Sequence, residues 1–317
     1  MRLLIYLQER LHMNLFKVIV INCFGFFQVR YALFKVRCLK QVLGAPGEKI
    51  CQALEDVLTR QTSPEEAGYI NKIEHLRCKL MVSDRHIVFT DYGAGAPNIA
   101  RTEAESHGGV TTTKLLSEVV QWSKPFFWGL FLFKLIRQFA PKKCLELGTC
   151  LGISGSYMAS SQSLSGNGEL TTLEGDDTLA AIAKNNFEDL GLKNVSIIAG
   201  RFLETLGNVL QKEELFDFVF IDGHHDEEAT LKYFNQILPS LSDGAVVIFD
   251  DIALYPGMKR AWKKLKTNGK FTLTADLSAI GVCIVGRSNK ERCDIKIPLW
   301  AVGTFLKFNS TTLNQHQ

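Results

Sequence analysis

Phe216–Asp251 reads FDFVFIDGHHDEEATLKYFNQILPSLSDGAVVIFDD. It holds two apolar runs, FDFVFI and GAVVIF, and each ends in carboxylate: Asp222 after the first, Asp250 and Asp251 after the second. A stretch with helical spacing joins them. Two such runs read as neighbouring parallel strands, which brings all three acids to one sheet edge. Ligands of open α/β sheets bind outside that edge, at the carboxyl ends of the strands.

The pattern continues upstream and downstream. Strands are expected at Lys143–Leu147, Glu169–Glu174, Val195–Ala199, Phe216–Ile221 and Gly244–Phe249, with helical segments near 153–162, 177–190, 202–212, 226–238 and 257–267. Gly191 suits the position just past a helix end. Five strand–helix units in series predict an α/β fold with a doubly wound, mostly parallel sheet covered on both faces. Phe271–Ala275 and Gly281–Gly286 follow with no helix between them, so they are expected to pair antiparallel at an edge, giving seven strands.

The 317 residues suffice for one large domain with an accessory segment. A net charge of +3 implies no bulk affinity for nucleic acid. Eight cysteines without a Cys-x-x-Cys pair argue against a zinc ribbon or redox motif and favour reduced thiols in the cytoplasm.

The N-terminal part is harder to place. Val18–Phe27 is apolar over ten residues, too short to span a bilayer, and no small-x-small cleavage site follows it. Arg30, Lys35, Arg37 and Lys40 alternate with Tyr31, Leu33, Phe34 and Val36, as on an interfacial helix. The readings for 14–40 are a packed helix, a peripheral membrane or partner contact, and secretion. Met13 offers a second start. Residues 42–62 carry no clear pattern. Ser63, Pro64 and Glu66 then mark a helix start, with Ile70, Ile73, Leu76 and Leu80 as its apolar stripe. Asp91–Thr113 reads as a long loop, and 92–113 is a lid candidate. A helix restarts over Lys114–Gln121. Ser123-Lys124-Pro125 breaks it, and an apolar helix covers Phe126–Phe139. Lys124, in that break, is a candidate for touching substrate. The division is an accessory segment with lid loop over 1–110, a nucleotide-type domain over 111–287, and a tail over 288–317.

Glu146-Leu147-Gly148-Thr149-Cys150-Leu151-Gly152-Ile153-Ser154 follows the first strand of the sheet. A glycine turn feeding a helix lets backbone approach a nucleotide-like ligand. A dinucleotide site needs glycine where Cys150 stands, because a side chain there crowds a diphosphate. Glu146 would repel phosphate but hold an ammonium. S-adenosylmethionine (AdoMet) has an ammonium, a sulfonium and no phosphate. Glu174 ends the next strand, twenty-two positions past Gly152, where an acid either binds ribose hydroxyls or caps the following helix. Arg201 and Phe202 either frame an adenine edge or pack the loop.

Asp222, Asp250 and Asp251 together need a cation, because clustered carboxylates raise one another's pKa. Mg²⁺ would take oxygen ligands and leave room for a substrate hydroxyl. The alternative is that the acids only cap the adjoining loop and helix. His225, three residues past Asp222, is either a general base or an exposed residue at a helix start.

The turn, Glu174 and the Asp222/Asp250-Asp251 spacing resemble the class I AdoMet-dependent methyltransferases with their Rossmann-like sheet. More narrowly, they are similar to the catechol O-methyltransferase-like, metal-dependent group, which also lacks the middle glycine. The resemblance implies that Glu146, Gly148 and Ser154, with Thr149 and Gly152 in the same turn, hold the methionine end of AdoMet and Glu174 the ribose. It implies a Mg²⁺ site at Asp222, Asp250 and Asp251. Asp222-Gly223-His224-His225 departs from the catechol enzymes, which carry lysine at position 225, and is similar to a bacterial-type set. The expected activity is O-methylation of a small-molecule hydroxyl, with His225, Asp222 and Lys124 as catalytic candidates. The alternatives are a metal-independent N- or O-methyltransferase and a non-catalytic AdoMet-binding scaffold. A homodimer is an open expectation.

Overall fold

The structure, a computed structural model, describes residues 25–93, 108–211, 215–286, 292–299 and 302. The expectations for residues 14–24, for the middle of the 92–113 loop and for most of the C-terminal tail lie outside the described residues.

The sheet has the strand order Cys293–Lys296 (β10), Phe271–Asp276 (β8), Gly281–Val285 (β9), Leu241–Phe249 (β7), Phe216–Ile221 (β6), Lys143–Leu147 (β3), Glu169–Glu174 (β4), Val195–Ala199 (β5). The five predicted parallel strands are all present. β8 and β9 pair antiparallel, but β9 is interior, because it also pairs antiparallel with β7. An eighth strand, β10, joins β8 in parallel. It falls in the segment read as a tail, and four residues with one buried position leave little pattern to find.

Reversal of strand order occurs between β3 and β6. β3 pairs with β4 on one side and β6 on the other, so the ends of these three strands surround one crevice. The backbone continues the ladder past the strand ends. The Asp222 N–H donates to Leu147 O at 2.9 Å, Asp250 N–H to Ile221 O at 3.0 Å, and Gly148 N–H to Leu173 O at 3.0 Å. These bonds lock the glycine turn and both acidic ends at fixed heights on one edge.

The N-terminal helices belong to the same core. A helix over 25–40, a second at Ala45–Leu58 and a third at Pro64–Met81 precede the sheet. Ile50, Leu54, Ile73, Phe131 and Ile136 are all buried in one cluster with the sheet face of Phe218 and Ile248. Ala45–Leu58 lies in the stretch read as patternless. Its start does carry a signal, Pro46 in the first turn, and its buried Ile50, Cys51, Leu54 and Val57 recur at helical spacing. At Pro64–Met81 the capping box forms as expected: Glu66 N–H donates to Ser63 Oγ at 3.2 Å and Ser63 N–H to the Glu66 carboxylate at 2.9 Å. The same carboxylate takes a bond at 2.6 Å from Lys134, which is 4% exposed on the apolar helix Phe126–Phe139.

The loop read over Asp91–Thr113 is partly strand. His86–Asp91 (β1) pairs antiparallel with Val110–Leu115 (β2), and the helix expected at Lys114–Gln121 is an α-helical turn, Leu116–Val119, continued by a 3-10 turn, Val120–Trp122. Val110–Leu115 is VTTTKL, where β-branched threonines suit a half-exposed strand as well as a polar loop. Seven cysteines among the described residues are free thiols. Among the described residues no helix is long and apolar enough to cross a membrane.

Candidate functional site

The glycine turn is shaped by contacts that exclude side chains. Gly148 has φ 106°, and a Cβ there would sit 2.1 Å from the Asp222 carbonyl oxygen. Gly152, at φ 78°, caps the helix Ile153–Leu164 and abuts Phe187, 2.9 Å from where its Cβ would be. Only glycine meets both demands without strain. Cys150 adopts φ 48° between them.

Glu146 lies beneath the turn with no exposed surface. It accepts bonds from Ser154 Oγ at 2.6 Å and Thr172 Oγ1 at 2.7 Å, and Thr149 Oγ1 meets Thr172 Oγ1 at 2.6 Å. Burial pushes its carboxyl up to about 7, against the pull of the two hydroxyls. Glu146, Thr149 and Ser154 thus form one buried polar cluster that ties β3, β4 and the next helix together.

Glu174 sits at the rim. Its Oε2 accepts the Cys150 N–H at 2.7 Å and its Oε1 the Asp176 N–H at 3.1 Å. Burial raises it to about 7 as well. Capping of the following helix falls to Asp176 instead, whose Oδ1 accepts Thr178 and Leu179 N–H. Of the two readings for Glu174, the helix-cap role is therefore taken by its neighbour. Arg201 is ion-paired to Glu204 on the surface, and the Phe202 ring packs beside Gly223 and edge-on to Tyr233 at 5.6 Å.

The β1–β2 hairpin closes this side. Thr90 N–H donates to Asp176 Oδ2 at 2.8 Å, and the Tyr92 ring lies where a Cβ on Gly175 would go, at 2.8 Å. Sequence reading missed this contact, because it joins positions 86 apart.

At the other end of the crevice Asp222, His225 and Asp250 converge, with one ligand-type atom from each lying within 4.8 Å of the others. His225 Nε2 is 3.6 Å from Asp222 Oδ1, and its Nδ1 is 3.6 Å from Asp251 Oδ2. Asp251 was grouped with the other two acids, but it stands outside this set and flanks the imidazole instead. Asp251, at φ 52°, reaches the other nitrogen of the His225 ring and stays close enough to Asp250 for that carboxylate to raise its own. His224 and His225 also have positive φ, at 68° and 44°. With Cys150 and Asp251, four non-glycine residues hold left-handed backbone at this one edge. Strain of this kind costs on the order of 1–3 kcal/mol per residue and collects at working sites.

The residue that completes the corner is Lys124. It is 8% exposed, its ammonium contacts Asp250 Oδ2 directly, and it lies 3.3 Å from Asp222 Oδ1. Burial opposes its charge, yet Asp222 and Asp250 hold the ammonium protonated above its ordinary range. Burial and the Asp250 carboxylate push Asp222 well up, and Asp251 rises to about 7 for the same reasons. Burial also opposes ionisation of Asp250, but Lys124 outweighs it and keeps that carboxyl low. Burial pushes the His225 imidazole down to about 4, so it is neutral at neutral pH and able to accept a proton.

Residues 145–252 match a family described as a methyltransferase domain. The chain is similar to a catechol O-methyltransferase of Niastella koreensis, 34% identical over 126 residues that cover 39% of this chain and 55% of that protein. It is also similar to a caffeoyl-CoA O-methyltransferase of Populus kitakamiensis, 25% identical over 147 residues, 45% of this chain and 61% of that one. The chain thus spans a little over half the length of these relatives. A solved O-methyltransferase of Bacillus cereus in complex with SAH aligns at a TM-score of 0.47 with 20% identity, over 69% of this chain and 90% of that one. The matched methyltransferase domain contains the glycine turn, Glu174, Asp222, His225 and both later acids. Lys124 and the β1–β2 hairpin lie upstream of it, so two parts of the crevice come from outside the methyltransferase domain.

Proposed function

We propose that the chain is an AdoMet-dependent O-methyltransferase acting on a small-molecule hydroxyl. The observation that carries this reading is the shared edge: Gly148, between Glu174 and Asp222, packs its backbone directly on the Asp222 carbonyl. A methyl donor laid along the turn therefore ends at the acid–histidine corner. The match to a methyltransferase domain and the O-methyltransferase relatives support the same reading.

In this reading the methionine end of AdoMet lies on the turn at Gly148 and Gly152, above the Glu146–Thr149–Ser154 cluster. Glu174 takes the ribose, and Gly200–Phe202 borders the adenine. The acceptor O–H faces His225, whose neutral imidazole takes the proton. The oxygen lone pair forms a bond to the methyl carbon as the carbon–sulfur bond breaks. That electron pair returns to sulfur, leaving a neutral thioether. Positioning and electrostatic stabilisation of the oxyanion would supply most of the rate.

Mg²⁺ is the expected partner of the acids, and Asp222, His225 and Asp250 have the spacing to be tested for it. The residues present do not fit that ion. An imidazole replaces the third oxygen donor that a hard cation prefers, and the Lys124 ammonium already contacts two of the three ligands.

The test is calorimetry of AdoMet with the folded chain, followed by transfer from labelled AdoMet into an extract of small molecules with mass identification of the product. Micromolar AdoMet binding and a methylated hydroxyl are expected. Absence of AdoMet binding would overturn the proposal.

A further inference from the structure

The acidic corner raises a question that the methyltransferase match does not answer, namely what balances its charge. Asp222 and Asp250 stand side by side, each one residue past the paired Ile221 and Phe249 of adjacent parallel strands, and both reach Lys124. Two carboxyl groups this close either share a proton or take a positive partner. Among the described residues, the group that reaches both is the side chain of Lys124.

Its placement is built by the chain. Pro125 breaks the helix before Phe126–Phe139, and the extended backbone of Ser123, at ψ 149°, directs the chain across the strand ends. The helix that follows is buried from Phe127 to Ile136, so it anchors the break rigidly against the core. Lys124 is 8% exposed and Asp250 2% exposed, so the pair is enclosed by protein and not by solvent. Removing one member of such a pair strands the other as an uncompensated buried charge.

We propose that Lys124 is the resident cation of this corner, standing where a divalent ion would sit between Asp222, His225 and Asp250, so that the corner works without a metal. This inference rests on the methyltransferase reading only for its catalytic consequence; the exclusion of metal rests on geometry alone. A divalent ion placed among the three ligands would meet a buried ammonium within a few ångströms. The acceptor oxygen would instead approach the Lys124 ammonium, which stabilises the developing oxyanion by a charge-assisted hydrogen bond. Asp222 and Asp250 then serve to orient the ammonium. The electron count of methyl transfer is unchanged: the O–H proton leaves to His225 and the carbon–sulfur pair returns to sulfur.

The experiment titrates Mn²⁺ into the full chain and counts free ion by electron paramagnetic resonance, for wild type, Lys124→Met, Lys124→Arg and Lys124→Met/Asp250→Asn. Wild type and Lys124→Arg are expected to bind no Mn²⁺ at the corner below millimolar concentration. Lys124→Met is expected to bind it tighter by a factor of roughly 1000, the order expected for losing one like charge beside the ion. The double variant loses that gain. Wild type binding Mn²⁺ as tightly as Lys124→Met overturns the proposal. So does tight wild-type binding by itself, which decides the matter if Lys124→Met does not fold. AdoMet calorimetry on the same samples separates the two claims. Loss of AdoMet binding in wild type sinks the methyltransferase reading and leaves the Mn²⁺ result standing.

Discussion

The Glu174 carboxylate accepts the Cys150 backbone N–H at 2.7 Å, so the end of one strand clamps the glycine turn that follows its neighbour. The same carboxylate is the one assigned to the ribose, and its second oxygen also meets backbone. Ribose would therefore bind a carboxylate that is already oriented. Glu174→Ala is expected to weaken AdoMet binding by about 10- to 100-fold, the worth of one or two bonds to a charged group. Calorimetry measures the affinity, and Glu174→Gln should recover only part of it.

Gly148→Ala places a methyl 2.1 Å from the Asp222 carbonyl at φ 106°. Overpacking and left-handed strain together should cost about 2–4 kcal/mol and abolish AdoMet binding. Gly166 is the control: φ is 74° with nothing within 4 Å, so Gly166→Ala should cost only about 1 kcal/mol. Thermal unfolding of both variants checks the difference.

Glu146 and Glu174 are each raised to about 7 from an ordinary 4.5. Between those values the folded chain keeps protons that the unfolded chain has released. Their contribution is therefore full below the unfolded value and is lost as pH rises through 7. The ligand-free protein should melt lower at about pH 8 than at about pH 5. Glu146→Gln, which cannot ionise, should flatten that slope in a fluorimetric melt series.

The N-terminal helices should unfold with the sheet. Lys134, 4% exposed, bonds the Glu66 carboxylate that also caps the helix Pro64–Met81. Lys134→Ala should cost about 1–3 kcal/mol, because it removes a buried charged partner while Arg137, 3.5 Å away, still faces the same carboxylate. Ser63→Ala should cost about 1 kcal/mol. Denaturant melts followed by two probes should still coincide.

The helix over 25–40 leaves Phe26, Phe27, Tyr31 and Phe34 exposed at 48%, 70%, 53% and 68%. From Arg10 to Gly47 the chain has six basic residues and no acidic one. Arg37 and Lys40 pair with Glu55, and Arg30 and Lys35 share the helix with these aromatics; aromatics beside positive charge suit the surface of an anionic bilayer. Cosedimentation with vesicles rich in phosphatidylserine is expected, and Phe27→Ser/Phe34→Ser should weaken it by about tenfold. Equal binding to neutral vesicles would rule out the electrostatic part.

Most of the sheet is legible in the chain because local signals agree. Each central strand is an apolar run ended by an acid or a glycine, and Gly191, at φ 72°, stands just past the Asp177–Asp189 helix as its residue type predicts. The turn, Glu174, Asp222 and Asp250 follow from those runs. What escapes is pairing at long range. Lys124 meets Asp250 across 126 positions, and no neighbour in sequence announces that its charge is to be buried. Asp250 and Asp251 read alike as a pair, yet Asp250 meets Lys124 whereas Asp251 meets the far nitrogen of His225. His225 joins it because the backbone turns left-handed at two successive histidines, a conformation that residue type alone does not dictate.

Cys293–Lys296 pairs in parallel along Phe271–Asp276 at the margin of the sheet. It is only four residues long, and Asp294 and Lys296 on it are exposed. An uncovered strand offers its amides and carbonyls to any passing chain, whereas a short charged one gives little to extend. Shortening the protein before Cys293 would also take the buried Ile295, Ile297 and Leu299 out of the core. The bared Phe271–Asp276 strand would recruit its own kind, and the limit on such a variant would be solubility.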